Sequence, residues 1–184
     1  MLDAAKALFA ARGVDGVTIA EIAEAADVSA SGIYAQFKSK EGLLQVLFEQ
    51  AMFGADYQAA VARLDDVADP VEQVLATAAI ARAIYENESA ELGLLRGVSA
   101  MSPALQGIER GFDDLRYRLQ AARVVRLFDA GRGKAGLTVE EARRILWAYT
   151  SRDLYRMLVQ EAGWKPARYQ AWLRDSIASA LLAD

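Results

Sequence analysis

Apolar residues recur at helical spacing from one end of this chain to the other. Nowhere do they alternate with polar residues for long enough to make a half-buried strand. That pattern restricts the chain to an all-α fold. Ala, Leu, Glu, Arg and Gln fill the periods, and all are strong helix formers. Pro70, Pro103 and Pro166 each stand where a helix would begin anyway, at the first-turn position that tolerates a missing N–H. Gly131, Gly133 and Gly136 mark the clearest breaker run. Caps and breakers together predict about nine helices. The first covers Leu2 to Arg12 and ends at Gly13. The second opens at Thr18, with Glu21 in capping-box position. Ser29 caps a third, reaching Phe37, and Ser39 a fourth, reaching Leu64. Five more follow: Pro70 to Asn87, Ala90 to Ala100, Pro103 to Ala130, Thr138 to Glu161 with a second capping box at Glu141, and Ala167 to Leu182.

Composition removes many functions. The 184 residues contain no Cys and no His. That excludes disulfides, thiolate nucleophiles, iron–sulfur clusters, Ser-His-Asp triads and imidazole-held haem. Adjacent carboxylates occur at Asp65-Asp66, Asp113-Asp114 and Glu140-Glu141, but helical neighbours point ~100° apart and do not converge on one site. The expectation is a binding protein, not an enzyme, with no cofactor and no metal. Charged residues interrupt every apolar stretch, so no transmembrane span is expected. The start, MLDAAKALFAARG, lacks the marks of a signal peptide, which makes the cytoplasm the expected location.

The segment Thr18 to Phe37 has the form of a helix-turn-helix: two short helices, three or four residues between them, the second about two turns long. Ile19, Ile22, Ala23, Val28, Ile33 and Phe37 are spaced to make a small core with the first helix. What remains on the second helix is Ala30, Ser31, Gly32, Tyr34, Ala35 and Gln36, small or hydrogen-bonding residues with no acid among them. A helix that enters a major groove needs such a slim, non-acidic face with a few polar tips. Lys38 and Lys40 follow at once, placed to meet phosphate.

The longer string GVDGVTIAEIAEAADVSASGIYAQFKSKEGLL, Gly13 to Leu44, closely resembles the N-terminal DNA-binding domain of the tetracycline-repressor (TetR) family. With the Leu2-Asp3-Ala4-Ala5 and Leu8-Phe9 positions, the resemblance covers about residues 2 to 48. It implies a DNA-binding domain over 1–48 and a ligand-binding and dimerisation domain over 49–184. It also implies that Thr18, Tyr34 and Lys40 contact phosphate, while Ser29, Ala30, Ser31, Gly32, Ala35 and Gln36 line the groove face. Gln36 is the candidate for reading a base, since its amide can pair with an adenine edge. Three departures stand out. Asp27 occupies a turn position often filled by Gly, Ala35-Gln36 replace an aromatic element, and the basic arm that often precedes the first helix is not in the sequence.

The same resemblance implies partners: double-stranded operator DNA, a small-molecule effector and a second copy of the chain, with no membrane. The implied function is a ligand-responsive repressor that binds DNA as a dimer and is released by a mostly apolar molecule. The alternative is a helical dimeric ligand- or protein-binding module that has lost DNA binding. Effector-wall candidates are Ile84, Tyr85, Leu95, Val98, Met101, Phe112, Leu115, Trp147 and Thr150, though for any single one plain core is the commoner use. Arg96 is a further residue that could meet an acidic ligand. Dimer candidates are Tyr149, Leu154, Leu158, Trp172, Leu173, Ile177 and Leu181. The net charge is −4, and residues 1–50 alone carry four basic and seven acidic side chains. Since affinity for DNA rests largely on phosphate neutralisation, binding is expected to be weak and salt-sensitive per subunit.

Overall fold

Hydroxyl side chains open the helices where the sequence places them. The computed structural model describes residues 1–65, 67–99 and 102–183, with the side chains of 65, 89–91 and 93–99 left aside. All regular structure among them is helical: α1 (Leu2–Arg12), α2 (Ile19–Ala25), α3 (Ala30–Phe37), α4 (Lys40–Met52), α5 (Ala55–Asp65), α6 (Pro70–Leu75), α7 (Thr77–Ser99), α8 (Pro103–Asp129), α9 (Val139–Tyr149), α10 (Arg152–Tyr155), a π-helical stretch (Arg156–Glu161) and α11 (Pro166–Leu181). Thr18, Ser29, Ser39 and Thr138 each accept a backbone N–H as N-cap, and both capping boxes are complete. Asp27 takes the left-handed backbone at the helix-turn-helix corner, φ 53, a conformation Asp tolerates better than most residues.

The stretch expected as one helix from Pro70 to Asn87 is divided at Ala76 between α6 and α7. Three further boundaries differ from the sequence expectation, each for a local reason. The fourth helix does not run to Leu64. It stops at Met52, because Asn87 takes the Ala51 carbonyl with its side-chain amide and sits where a Cβ on Gly54 would go, 2.8 Å away. This helix also runs through the expected division at 48/49. The segment 77–99 is one helix instead of two, since Asn87 sends its side chain outward without breaking the ladder. The helix after Thr138 ends at Tyr149, where Ser151 caps a fresh turn by accepting from the Leu154 N–H.

The chain forms two units, residues 1–54 with 87–112, and residues 55–86 with 113–184. In the first, α1 packs on α2 and α4, and α3 packs on both α2 and α4. Phe9, Ile22, Ile33, Leu43, Leu44 and Phe48 are fully buried there. Each is worth ~1.5–3 kcal/mol relative to exposure. Val28, expected in this core, is 40 % exposed. The turn at Asp27 carries it past the inward face.

In the second unit, α11 buries one face completely: Tyr169, Leu173, Ile177 and Leu181, each four residues after the last. This face packs against α9 and α6. The glycine run after α8 does more than break the chain. Lys134 N–H donates to the Leu181 carbonyl and Ala183 N–H to the Arg132 carbonyl, so the loop pins the end of α11. Among the described residues, no helix is long and apolar enough to cross a membrane.

Candidate nucleic-acid interface and effector region

Helix α3 is anchored by Ile33 and Phe37, one turn apart and both buried. Its opposite side is therefore presented outward: Ser31, Gly32, Tyr34, Ala35 and Gln36 are all exposed, Tyr34 at 52 %. Ser29 is also exposed, but its hydroxyl is committed as N-cap to the Gly32 N–H at 3.1 Å and receives the Ser31 hydroxyl at 3.1 Å. Ala30 is partly buried. No acid lies on this helix, so its outward side is slim, polar at its tips and uncharged.

The cations are placed differently from expectation. Lys40, expected to meet phosphate, is engaged within the head. Its ammonium donates to the Val14 carbonyl at 2.9 Å and the Val17 carbonyl at 3.1 Å, bracing the loop between α1 and α2. Those carbonyls lie on buried residues, and a charge-assisted bond there outweighs solvation of one lysine. Lys38 is exposed at the end of α3, φ 68, and its ammonium rests on the Ala35 carbonyl at 3.0 Å. An exposed lysine leaves such a bond at little cost, so Lys38 is the basic side chain available beside this helix.

Thr18 is also occupied. Its N–H and hydroxyl both donate to one Glu21 oxygen, at 2.8 and 2.7 Å, while Arg12 holds the other at 2.8 Å. The capping box was legible in the sequence. That it commits the donors expected to meet phosphate follows only from the geometry. The Thr18 hydroxyl and N–H, then Arg12, pull the Glu21 carboxyl from its ordinary 4.5 down to about 2. A carboxyl lowered on folding stabilises the fold above its unfolded value and loses that contribution as pH falls through the folded one. The stability gap between wild type and Glu21→Gln is therefore expected to be widest above pH 4.5 and to close by about pH 2. Urea titrations at a series of pH values measure it, and a gap independent of pH would remove Glu21 from this role.

In the second unit, a polar knot forms around Thr150, which is 1 % exposed. Its hydroxyl donates to the Leu146 carbonyl at 2.7 Å and accepts from Arg116 at 2.8 Å and Gln120 at 2.7 Å. Its carbonyl accepts the Tyr85 hydroxyl at 2.9 Å. Arg116 also bonds the Trp147 carbonyl, pairs with Asp113 at 2.8 Å and stands 5.1 Å from the Trp147 ring. Among the described residues, two deeply buried atoms here have no partner, Gln120 Oε1 and the Tyr169 hydroxyl. Burial pushes the Tyr169 phenol far above its ordinary value, and the Tyr155 phenol up to about 12.

Of the effector candidates, Tyr85, Trp147 and Thr150 are brought together in this knot. Ile84 is buried and Leu115 partly buried in the same unit. Phe112 belongs to the first unit, where its ring meets Phe53 edge-on at 5.6 Å. Leu95, Val98, Met101 and Arg96 lie outside the described side chains. Sequence reasoning missed Arg116, Gln120 and Tyr169. The signal was the i, i+4 pair of Arg116 and Gln120 on one helix face, masked because long polar residues read as solvated.

The dimer candidates divide. Leu173, Ile177 and Leu181 are 0 % exposed within the single chain. They are core within the chain instead of the expected dimer surface. Tyr149, Leu154, Leu158 and Trp172 are only partly buried, and Met157, not foreseen, is 49 % exposed.

The first unit thus presents a helix-turn-helix with an acid-free outward helix, and the second a helical unit with a buried polar knot. Residues 1–47 match the sequence model for bacterial regulatory proteins of the tetR family. Solved structures share the fold across nearly the whole length. Native NalD of Pseudomonas aeruginosa, the secondary repressor of the MexAB-OprM multidrug efflux pump, is 20 % identical with TM-score 0.76, covering 98 % of this chain and 94 % of its own. The transcriptional regulator FadR of Bacillus subtilis, in complex with stearoyl-CoA, is 18 % identical with TM-score 0.67, covering 97 % and 96 %. The SmeT–triclosan complex is 19 % identical with TM-score 0.70, covering 100 % and 90 %. No curated protein matches the sequence.

Proposed function

We propose that this chain is a cytoplasmic, ligand-responsive repressor that binds operator DNA as a dimer. In this reading residues 1–48 form the DNA-binding part and 49–184 the regulatory part. The observation that carries it is the outward side of α3, acid-free and carrying exposed Tyr34 and Gln36, in a head that matches the tetR family. Gln36 reads a base edge and Tyr34 holds a phosphate through its hydroxyl. Thr18 contributes only by exchanging Glu21 for a phosphate oxygen. Lys40 acts by bracing the head.

This changes the expected salt dependence. With Lys38 as the cation beside α3, a dimer neutralises about two phosphates, and log K falls by roughly 2 per tenfold rise in salt. Binding is therefore weak but only shallowly salt-dependent. A mobility-shift series on the DNA upstream of the chain's own gene, from low to physiological salt, tests this. A shift at micromolar dimer that Gln36→Ala weakens about tenfold or more agrees with one lost bidentate base contact. No shift even at low salt would favour a helical module that has lost DNA binding.

The effector is a mostly apolar molecule with one or two polar handles. Tyr85, Leu115 and Trp147 provide apolar contact, while Gln120 Oε1 and the Tyr169 hydroxyl supply unpaired polar atoms for the handles. The FadR and SmeT structures, solved with stearoyl-CoA and triclosan, support effector binding in this fold. The effector acts by population shift, favouring a spacing of the two α3 helices that misfits the operator. Dimerisation uses Tyr149, Leu154, Met157, Leu158 and Trp172. Light scattering is expected to give twice the 20.0 kDa chain mass. Trp172→Glu is expected to yield monomer, whereas Leu173→Ala lowers stability without dissociation. A monomeric wild type would overturn the dimer.

A further inference from the structure

The second unit contains a cleft of about 640 Å³, lined by α5, the first half of α7 and α11. None of its lining residues is among the effector or dimer residues above. It exists because the facing sides of α5 and α7 carry methyl groups: Ala60, Ala79 and Ala83 are too short to close the gap, and Leu64 and Val67 complete an apolar floor. Three long cations stand over that floor, Arg63, Arg82 and Arg174.

These guanidiniums are only partly used. Arg63 spends its Nε on the Ala59 carbonyl of its own helix at 3.1 Å, and its two terminal amino groups have no partner among the described residues. Arg174 directs one amino group to both Glu72 oxygens, at 2.8 and 2.9 Å, leaving Nε and Nη1. Arg82 gives Nε to Glu86 at 2.8 Å and Nη1 to Gln170 at 3.4 Å, leaving Nη2. Glu86 and Glu72 thus offset Arg82 and Arg174, and among the described residues no acid pairs with Arg63. The other lining acid, Asp56, is seven residues earlier on α5, about 10 Å along the axis, beyond the reach of strong repulsion at physiological salt.

We propose that this cleft is a second small-molecule site, for a carboxylate on an aliphatic body. The planar fork of Arg63 matches a carboxylate bidentately, Arg174 Nη1 and Arg82 Nη2 add donors from the opposite helices, and the alanine floor takes the hydrocarbon. The volume lies within the range of small-molecule pockets. A molecule held there bridges α5, α7 and α11 within one unit.

Calorimetric titration of the full chain with decanoate, at submicellar millimolar concentration, tests the site. One decanoate per chain is expected, with no measurable heat from decanol or decyltrimethylammonium. Arg63→Gln is expected to weaken binding about tenfold or more, as for loss of a charge-assisted pair. Among the described residues Arg63 bonds only its own helix, so this variant is expected to keep the wild-type melting temperature. Ala79→Leu, which fills the floor, is expected to abolish binding. Absence of heat with wild type, equal binding of decanol, or decanoate binding that neither variant alters would overturn the proposal.

Discussion

Gly42→Ala is expected to melt about 10 °C below wild type and to lose DNA binding, although it adds a single methyl group to a helix. An added Cβ would lie 2.1 Å from the Phe37 carbonyl oxygen, and that neighbour is backbone. It cannot swing aside as a side chain would. Phe37 ends α3, Lys38 turns the chain at φ 68, and Ser39 caps α4 by accepting the Gly42 N–H at 3.1 Å. Relieving the clash pushes α4 off the end of α3 and tilts the outward side that carries Tyr34 and Gln36. Forcing such an overlap costs about 3 kcal/mol. For a chain this long each kcal/mol shifts the midpoint by ~2–4 °C. Gly107→Ala and Gly111→Ala on α8 are the controls. Among the described residues nothing lies within 4 Å of a Cβ at either position. Each is expected to be neutral or to stabilise by up to about 1 kcal/mol, the helix preference of Ala over Gly. Scanning calorimetry separates the cases, and a Gly42→Ala midpoint equal to wild type would disprove the close approach.

The second large effect is expected at Thr150. Thr150→Val keeps the shape and removes the hydroxyl that Arg116 and Gln120 share. Gln120 is 5 % exposed and its Oε1 already lacks a partner, so its amide would face a methyl group with no water to replace the bond. An unsatisfied buried donor costs ~1–3 kcal/mol, and with two donors affected the loss is about 3 kcal/mol. Thr150→Ser retains the oxygen and is expected to recover most of it. Chemical denaturation of the pair measures the difference, and a Val variant as stable as the Ser variant would show that the knot contributes nothing. The same Val variant is expected to answer effectors poorly in the mobility-shift assay, because Arg116 and Gln120 lose the group that orients them.

The head was largely readable from its residues. Thr18, Ser29 and Ser39 announced their caps, Asp27 its turn, and the acid-free run from Ala30 to Gln36 its outward helix. The cations were not readable. Lys38 and Lys40 are two positions apart and look equivalent, yet one stays exposed and the other reaches back to carbonyls 23 and 26 residues earlier. On α11 the sequence placed Leu173, Ile177 and Leu181 in a dimer surface, whereas the chain's own α9 and α6 pack against that helix; helical period alone does not distinguish the two covers. The break at Phe53-Gly54 was missed because the group that takes the Ala51 carbonyl, Asn87, is 36 residues away.

By itself the sequence determined what short-range physics governs: helix type, capping, turn conformation and the absence of His and Cys chemistry. Each depends on groups within about one helical turn, or on composition alone. The tertiary structure decided which polar groups remain free to act. It committed Lys40 and the Thr18 donors, left Tyr34, Gln36 and Lys38 exposed, gathered Tyr85, Arg116, Gln120 and Thr150 into one knot, and opened an arginine-rimmed cleft over alanines. A side chain's availability depends on what the fold brings within about 3 Å of it, and local sequence does not encode that.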